Sequence, residues 1–285
     1  MKTCNRLYPA FGKLLAVAAT CLAIQNIHAQ LLFSEGFDYT SGTGLANKVN
    51  PGNSTAWTGG NNSELQIGSS QLSYTSTPGL QQAAGNDLVY TSSGSSSTSY
   101  NTYSAVTGSG NSIYFSFLID CTAVPTANEY IMALNPGTTA PGGSSDAMAT
   151  YVGASGVGGF KIGVRNGNSG ASYTSTLTLG TTYFIVEELT LGTTPTVSLF
   201  LDPIPGASQP TATATQTGTV AATSVDDIGF KVQSVTTTGD FDIDDLLVGT
   251  TYASVTPEVT PEPSTLALAG IGLLGLAMRF RRARA

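Results

Sequence analysis

Histidine is almost absent from this sequence. The single copy, His28, lies within the first 29 residues. The chain that follows therefore has no imidazole for a Ser-His-Asp or Cys-His arrangement, for general-base catalysis, or for a zinc or copper site with histidine ligands. Carboxylates are the main groups left for chemistry.

Cysteine is nearly as rare. Two of the three cysteines, Cys4 and Cys21, also lie in the first 29 residues, which leaves only Cys121. The later chain can form no intrachain disulfide, and a domain of about 225 residues is large enough to fold without one. We expect Cys121 to be a buried small hydrophobe, with pairing to a second chain as the alternative.

Positive charge is concentrated at the two ends. Three of the eleven Lys and Arg residues lie in the first 13 positions and four in the last seven. The rest, Lys48, Lys161, Arg165 and Lys231, face eighteen acidic residues, and four minus eighteen gives this part a charge of −14. A nucleic-acid partner is excluded, because phosphate binding needs a basic surface. Such acidity suits a secreted matrix protein or one that collects divalent cations.

The N-terminus has the three parts of a secretory signal peptide. Basic residues, an apolar run and a small residue at the cleavage position follow one another as Lys2, Arg6 and Lys13, then 14–24, then Ala29. The run is too short to span a membrane, so we expect removal of 1–29 and a mature chain that begins at Gln30. A lipoprotein anchored at Cys21 is the alternative, but the preceding Ala-Ala-Thr is a poor approach to a lipidated cysteine.

The C-terminus also has three parts. They are Pro261, Glu262 and Pro263, the apolar residues 264–278, and the basic residues Arg279, Arg281, Arg282 and Arg284. In this order they resemble a PEP-CTERM sorting signal. The resemblance implies an exosortase as processing partner, a transmembrane helix over 264–280 in the inner membrane, and a basic cytoplasmic tail over 281–285.

The apolar stretch is short for an anchor. Its fifteen residues would span about 22 Å as a helix, less than the roughly 30 Å of a hydrocarbon core, which suits a transient anchor. Positive flanks stay in the cytoplasm, so the preceding domain lies outside. We expect it to reach the cell surface or the extracellular matrix; a permanent tail anchor is the alternative.

Between these signals, apolar residues alternate in short runs typical of half-buried antiparallel strands. The clearest runs are Ile113, Phe115, Phe117 and Ile119; Phe160, Ile162 and Val164; Val197, Leu199 and Leu201; and Ile228, Phe230 and Val232. We predict an all-β ectodomain over 30–255, built as a two-sheet antiparallel jelly-roll sandwich. A hairpin is predicted to join 64–67 to 71–74, and a proline-stiffened stalk to occupy 256–263.

The two ends of this domain add a family resemblance. Segments 33–39 (Phe-Ser-Glu-Gly-Phe-Asp-Tyr) and 241–250 (Phe-Asp-Ile-Asp-Asp-Leu-Leu-Val-Gly-Thr) look like the first and last strands of concanavalin A-like and laminin-G-like sandwiches. In such domains these strands lie side by side and can share a structural calcium, which here implies the ligands Glu35, Asp38, Asp244 and Asp245. The alternative is that the two late aspartates cap a turn and face solvent.

Catalysis by carboxylates alone would be glycoside hydrolysis, which needs two of them about 5 to 10 Å apart. Laminarinase-like members of the resembled superfamily carry Glu-x-Asp-x-x-Glu on one strand, and this sequence does not. Glu187 and Glu188 come nearest, but neighbours on a strand point to opposite faces. We therefore predict that the protein is not an enzyme, with a glycan-active hydrolase as the alternative.

Sugar binding remains, because aromatic rings stack on the apolar faces of sugars. Six aromatic residues lie in or beside loop-like sequence, namely Trp57, Tyr74, Tyr100, Tyr103, Tyr151 and Tyr173. None stands out, and aromatic residues of a sandwich more often pack in the core. We predict a structural or glycan-binding surface protein with extracellular polysaccharide as a partner.

Overall fold

The computed structural model describes residues 30–59, 63–90, 96–123, 127–137, 140–142, 144–156, 158–232 and 240–259. The predicted signal peptide, the Pro261–Pro263 motif, the helix over 264–280 and the C-terminal arginines lie outside these residues. Within them the chain forms fifteen strands and one short helix. These are β1 (Leu31–Glu35), β2 (Thr58–Gly59), β3 (Leu65–Ile67), β4 (Leu88–Tyr90), β5 (Ser97–Thr107), β6 (Ser112–Cys121), β7 (Glu129–Asn135), β8 (Met148–Ala154), β9 (Phe160–Arg165), β10 (Ser172–Tyr173), β11 (Tyr183–Thr190), β12 (Thr196–Leu201), β13 (Ala214–Thr217), β14 (Ser224–Val232), β15 (Phe241–Gly249) and α1 (Tyr252–Val255).

The strands form two antiparallel sheets. The first has the order β13-β12-β11-β6-β15-β4-β3, with β1 also paired to β15, and the second has the order β10-β9-β8-β7-β14-β5-β2. The predicted all-β sandwich of two antiparallel sheets is confirmed. The first strand does lie beside the last, because Glu35 of β1 is opposite Leu246 of β15.

Alternation of side chains explains how the sheets pack. Ile113, Phe115, Phe117 and Ile119 of β6 are fully buried and join one core with residues of the second sheet. Their period of two predicted this, and burial of each such side chain contributes roughly 1.5 to 3 kcal/mol. Cys121, at the end of the same strand, is a buried free thiol, as predicted.

The outer face of the first sheet is covered by other parts of the chain. Tyr252 and Val255 of α1 pack there against Leu118 and Phe200, and Leu72 and Leu80 extend the same cluster. This layer combines the segment between β3 and β4 with the helix that follows the last strand.

The chain stays on the sandwich after α1. Gln81 N donates to Pro257 O, and Val259 N donates to Gly79 O, both at 2.9 Å. The first four residues of the predicted stalk, 256–259, therefore lie against the domain, and 260–263 lie outside the described residues. Among the residues that are described, no helix has the length and apolar character needed to cross a membrane.

The predicted hairpin between 64–67 and 71–74 is wrong. β3 pairs with β4 instead, and residues 71–74 form no strand. Leu72 N donates to Asp244 Oδ2 at 3.0 Å, and Gln82 Nε2 donates to Leu72 O at 2.9 Å. Side chains from distant positions thus hold this backbone in place of a neighbouring strand.

Candidate functional site

Tyrosine side chains line the outer face of the second sheet. Residues directly opposite each other on antiparallel strands share a face. Tyr130 of β7 lies opposite Tyr151 of β8, and Gly163 of β9 lies opposite both Tyr151 and Tyr173 of β10. Ile162, next to Gly163, points into the core. One row across four strands therefore carries three tyrosines on the outer side.

Basic side chains stand on the same side. Lys161 and Arg165 alternate with core residues on β9, and Lys231 does so on β14. The Arg165 Cζ atom lies 4.6 Å from the ring centre of Tyr151, and the Lys231 Nζ atom lies 5.0 Å from that of Tyr130. We call this set the tyrosine-cation face; its members are Tyr130, Tyr151, Tyr173, Lys161, Arg165 and Lys231.

Burial divides the face into a base and an accessible part. The rings of Tyr130 and Tyr151 are stacked, with centres 5.3 Å apart and planes 24° apart. Tyr130 is 1% exposed and Tyr151 is 7% exposed, whereas Tyr173 and the three basic residues are only partly buried. The first two tyrosines form a packed base, and the others are the groups that a ligand would meet.

Two glycines make room for the Tyr173 ring. A Cβ atom at Gly163 would lie 2.5 Å from two ring carbons of Tyr173, and one at Gly153 would lie 3.0 Å from the ring. Contacts below 3.0 Å force a shift, so a side chain at Gly163 would displace the ring. The ring therefore lies directly on the backbone of the sheet.

The connection between β7 and β8 covers the neighbouring part of the sheet. A Cβ atom at Gly229 of β14 would lie 2.4 Å from Pro141 Cγ, so this proline lies on the strand. Asp146, in the same connection, is fully buried and accepts a hydrogen bond from the Tyr130 hydroxyl. Asp227, two residues before Gly229, is also fully buried. These two carboxyl groups are enclosed, while the basic groups reach the surface.

The phenols of the face are neutral at physiological pH. Burial raises the pKa of Tyr151 to about 12, although the nearby Arg165 acts in the opposite direction. Burial also raises the pKa values of Tyr130 and Tyr173. A protonated phenol both donates and accepts hydrogen bonds, so the face combines neutral hydroxyl groups with fixed positive charges.

Three of the six aromatic candidates from the sequence meet on this side of the molecule. Tyr151 and Tyr173 belong to the face, and Tyr100 of β5 lies on the same side, opposite Gly229. The sequence analysis missed Tyr130. Tyr130 could have been found from its position next to the core residue Ile131, because neighbouring residues of a strand point to opposite sides.

The other three candidates lie elsewhere. Trp57 is fully buried in the core, and its Nε1 donates to Glu35 Oε2 at 2.9 Å. Tyr74 packs against Phe184 on the outer side of the first sheet. The Tyr103 hydroxyl donates to a backbone oxygen at 3.2 Å. These residues hold the fold together.

Glu35, one of the four predicted calcium ligands, is hydrogen-bonded to several segments of the protein. Its Oε2 accepts from Tyr39 Oη at 2.7 Å, from Asn50 Nδ2 at 2.7 Å and from Trp57 Nε1 at 2.9 Å, and its Oε1 accepts from Phe37 N at 2.8 Å. The side chain is 2% exposed. Its oxygens are therefore occupied by protein donors.

The two late aspartates are occupied in a similar way. Asp244 Oδ2 accepts from Leu72 N, and Asp245 accepts from Ala83 N at 2.7 Å and from Gln82 Nε2 at 2.9 Å. Burial, with Asp245 as the next cause, raises the pKa of Asp244 to about 8.

The structural calcium expected at these four residues stays a prediction. Asp38, the remaining predicted ligand, is exposed. No group of three or more His, Cys, Asp or Glu side chains in the described part of the chain is arranged to hold a metal ion. The aspartates of β15 fasten residues 72–83 to the first sheet.

Glu187 and Glu188 point to opposite faces of β11, as predicted. Glu187 is fully buried between the sheets, where its Oε2 accepts from Thr150 Oγ1 at 2.8 Å. Glu188 lies on the outer side and accepts from the hydroxyls of Ser112 and Tyr114, each at 2.8 Å. The two form no catalytic pair.

Comparison with known families identifies the C-terminal segment. Residues 259–282 match the PEP-CTERM protein-sorting motif, which confirms the prediction made from Pro261–Pro263 and the basic residues after the apolar stretch. The motif marks an exported, membrane-associated surface protein and a substrate of an exosortase. No curated protein matches the chain.

Solved structures of similar outline share little sequence with this chain. A mutant of alginate lyase Aly36B in complex with alginate trisaccharide has a TM-score of 0.47 and 12% identity, over 79% of this chain and 100% of that one. The endo-β-1,4-glucuronan lyase of the fungus Trichoderma reesei has a TM-score of 0.45 and 14% identity, over 80% and 99%. The globular domain of T. cruzi calreticulin has a TM-score of 0.46 and 11% identity, over 80% and 90%.

These structures correct the prediction that the protein is not an enzyme. Two of the three similar chains are polysaccharide lyases, so the missing histidine and the missing Glu-x-Asp-x-x-Glu motif exclude particular mechanisms and not catalysis as such. At such low identity the likeness assigns no reaction to this chain.

Proposed function

We propose that this exported surface protein binds carbohydrate through the tyrosine-cation face. The observation that carries the proposal is the Tyr173 ring, which lies on Gly163, remains partly exposed, and stands on the side of the sheet that carries Arg165. An aromatic ring stacks on the apolar face of a pyranose, and neighbouring polar groups fix its hydroxyls.

The second sheet is the better of the two for this purpose. α1 and residues 72–82 pack on the outer face of the first sheet, so a ligand could not reach its strands without displacing them. On the second sheet the β7–β8 connection covers the part near Gly229, and the row that ends in Tyr173 lies beyond it.

The sorting motif supports the same proposal. A chain that is exported and held at the surface meets extracellular polysaccharide, and a face with both stacking and hydrogen-bonding groups would retain it. We infer a structural role of this kind, in which the protein links the cell surface to a surrounding polysaccharide matrix.

Affinity electrophoresis of the full-length protein, purified in mild detergent, against a panel of soluble polysaccharides tests the proposal. We expect at least one polymer to bind, and Tyr173→Ala to weaken its binding about tenfold through loss of stacking. Tyr74→Ala is the matched control, because it removes a partly buried tyrosine that packs on the outer side of the other sheet. Release of new reducing ends, assayed in the same samples, shows whether binding leads to cleavage.

Absence of binding to every polymer would contradict the proposal. So would equal binding by wild type and Tyr173→Ala, because the ligand would then lie elsewhere on the molecule.

A further inference from the structure

Residues 256–259, which we call the strap, fasten the end of the described chain to the domain. Gln81 and Gly79 hold the strap through the two backbone hydrogen bonds given above. A second segment also holds it, since Gly206 N donates to Thr256 O at 2.9 Å. The folded domain therefore extends as far as the last residue of the strap, where the PEP-CTERM match begins.

Most of the exposed apolar side chains lie around this strap. Four large apolar side chains of the described residues are exposed, namely Leu31 at 47%, Val49 at 55%, Ile204 at 57% and Val259 at 55%. Leu31 lines one pocket together with Pro257 of the strap. Ile204 lies two residues before Gly206, which donates to the strap, and Val259 is its last residue. Exposed apolar side chains that lie together mark interaction surfaces.

A groove beside Ile204 extends this apolar surface. It lies in the connection between β12 and β13, and much of its lining is apolar, from Phe200, Pro203, Ile204, Ala207 and Pro210. Phe200 also packs against Tyr252 of α1, the helix that leads into the strap. The groove and the strap therefore belong to the same side of the sandwich, the outer side of the first sheet.

The chain between the strap and the predicted anchor is short. Residues 260–263 separate Val259 from Ser264, where the apolar stretch begins. Five extended steps of at most about 3.6 Å span no more than about 18 Å. The interfacial layer of a bilayer is roughly 5 to 8 Å deep, so Val259 lies within about 13 Å of the headgroups of a membrane that holds the apolar stretch.

The charges around this surface favour a neutral membrane. Glu258 of the strap and Asp202, two residues before Ile204, are both exposed. The four basic residues between the two ends of the sequence line neither the pocket at Leu31 nor the groove. An anionic headgroup layer would repel these carboxylates and the net negative charge of the domain. Apolar contacts must therefore carry an interaction with lipid.

We propose that the strap, with Leu31 and Ile204 beside it, is a membrane-contact surface that rests on neutral lipid headgroups and inserts its exposed apolar side chains among them. This contact turns the first sheet toward the membrane and the tyrosine-cation face away from it. The inference is independent of carbohydrate binding, because it uses no residue of that face.

Quenching of tryptophan fluorescence by brominated lipid tests this contact directly. The full-length protein is reconstituted into vesicles of phosphatidylcholine, with or without bromine on the acyl chains near the headgroup, and recovered by flotation. Ile204→Trp places a fluorophore on the surface, and Leu31→Trp is a second position in case the first variant disturbs the fold. The native Trp57 is fully buried in the core and gives the background.

Tyr100→Trp is the matched control. Tyr100 is partly exposed on the outer side of the second sheet, opposite Gly229. Side chains that enter the interface reach about 5 to 10 Å into it, so we expect bromine to lower the emission of Ile204→Trp and Leu31→Trp about twofold. Tyr100→Trp and wild type should emit equally in both kinds of vesicle. Phosphatidylglycerol in place of phosphatidylcholine is expected to reduce the quenching, through repulsion by the acidic domain.

Several outcomes would overturn the proposal. Equal quenching of Tyr100→Trp would show that the domain has no preferred side toward the membrane. A blue shift of Ile204→Trp and Leu31→Trp without quenching would identify the cover as protein, either the sorting segment or a second copy of the chain. Emission unchanged by bromine in both variants, or failure of the protein to float with the vesicles, would show that lipid does not contact this surface.

Discussion

Glu35 shows how one side chain can hold several segments together. Its buried carboxylate accepts four hydrogen bonds, from Phe37, Tyr39, Asn50 and Trp57. In Glu35→Gln an amide nitrogen would face donors that it cannot accept from. A charged hydrogen bond contributes about 1.5 to 3 kcal/mol, and 1 kcal/mol changes the melting temperature of a domain of this size by about 2 to 4 °C. We expect Glu35→Gln to lower the melting temperature by at least about 3 °C in scanning calorimetry.

Asp38→Asn is the control for this prediction. Asp38 is an exposed carboxyl three residues further on, and such surface changes usually stay within about 0.5 kcal/mol. Equal melting temperatures for wild type and Glu35→Gln would show that the four contacts add nothing to stability.

The sequence predicted Glu35 as a calcium ligand and did not predict its hydrogen bonds. Its donors come from positions up to 22 residues away, and no local sequence pattern connects them to it.

At the scale of the strand, the alternation of apolar and polar residues predicts which side chains of the site point away from the core. Phe160, Ile162 and Val164 point into the core, which leaves Lys161 and Arg165 on the other side of β9. The same pattern turns Lys231 outward on β14. The sequence could not tell that β9 and β14 belong to one sheet with β8 and β7 between them, because that order depends on long-range pairing. The failed hairpin at 71–74 has the same cause, since β3 finds its partner in β4, 21 positions further along the chain.

Gly163 of β9 lets the Tyr173 ring lie against the backbone of the strand. In Gly163→Ala the new Cβ would lie 2.5 Å from the ring of Tyr173, so the ring must move away from the sheet. Since the backbone there needs no positive φ, the strand itself can accept alanine. We expect Gly163→Ala to weaken polysaccharide binding several-fold in affinity electrophoresis, with a smaller effect on the melting temperature.

Gly170→Ala provides the matched control. This glycine lies between β9 and β10, close in sequence to Tyr173, and a Cβ there would meet nothing within 4 Å. It should bind as wild type. If Gly163→Ala bound equally well, the position of the Tyr173 ring would not matter for the ligand.

At the scale of the whole molecule, the first residue of the sorting segment and the proposed binding face lie on opposite sides of the sandwich. Val259 is hydrogen-bonded to Gly79, and Leu80, the next residue, packs on the outer side of the first sheet. The PEP-CTERM match begins at the same residue, 259. The tyrosine-cation face belongs to the second sheet, so the end that enters the sorting segment does not obstruct it.

Buried carboxyl groups should give the whole domain a characteristic dependence on pH. Burial raises the pKa of Glu187 from 4.5 to about 8 and that of Asp242 from 3.8 to about 6, and burial together with Asp245 raises that of Asp244 to about 8. The folded chain thus holds protons that the unfolded chain releases. This contribution to stability is fully present below about pH 4 and is lost as the pH rises through 6 to 8. We expect the melting temperature to fall between about pH 5 and pH 9.

Glu187→Gln isolates one of these groups. Its amide oxygen can still accept from Thr150 Oγ1, but it has no proton to lose. Each unit by which the pKa of a carboxyl is higher in the folded chain lowers the free energy of unfolding by about 1.4 kcal/mol once the pH is above both pKa values. For a domain of this size, this lowers the melting temperature by about 3 to 5 °C. We expect Glu187→Gln to melt at least about 3 °C above wild type at pH 9, and this advantage to disappear at pH 5. Glu188→Gln removes a carboxyl from the outer side of the same strand and is the control for the loss of one negative charge. If Glu187→Gln and Glu188→Gln changed the slope equally, the pH dependence would arise from the net negative charge of the domain and not from the carboxyl enclosed between its sheets.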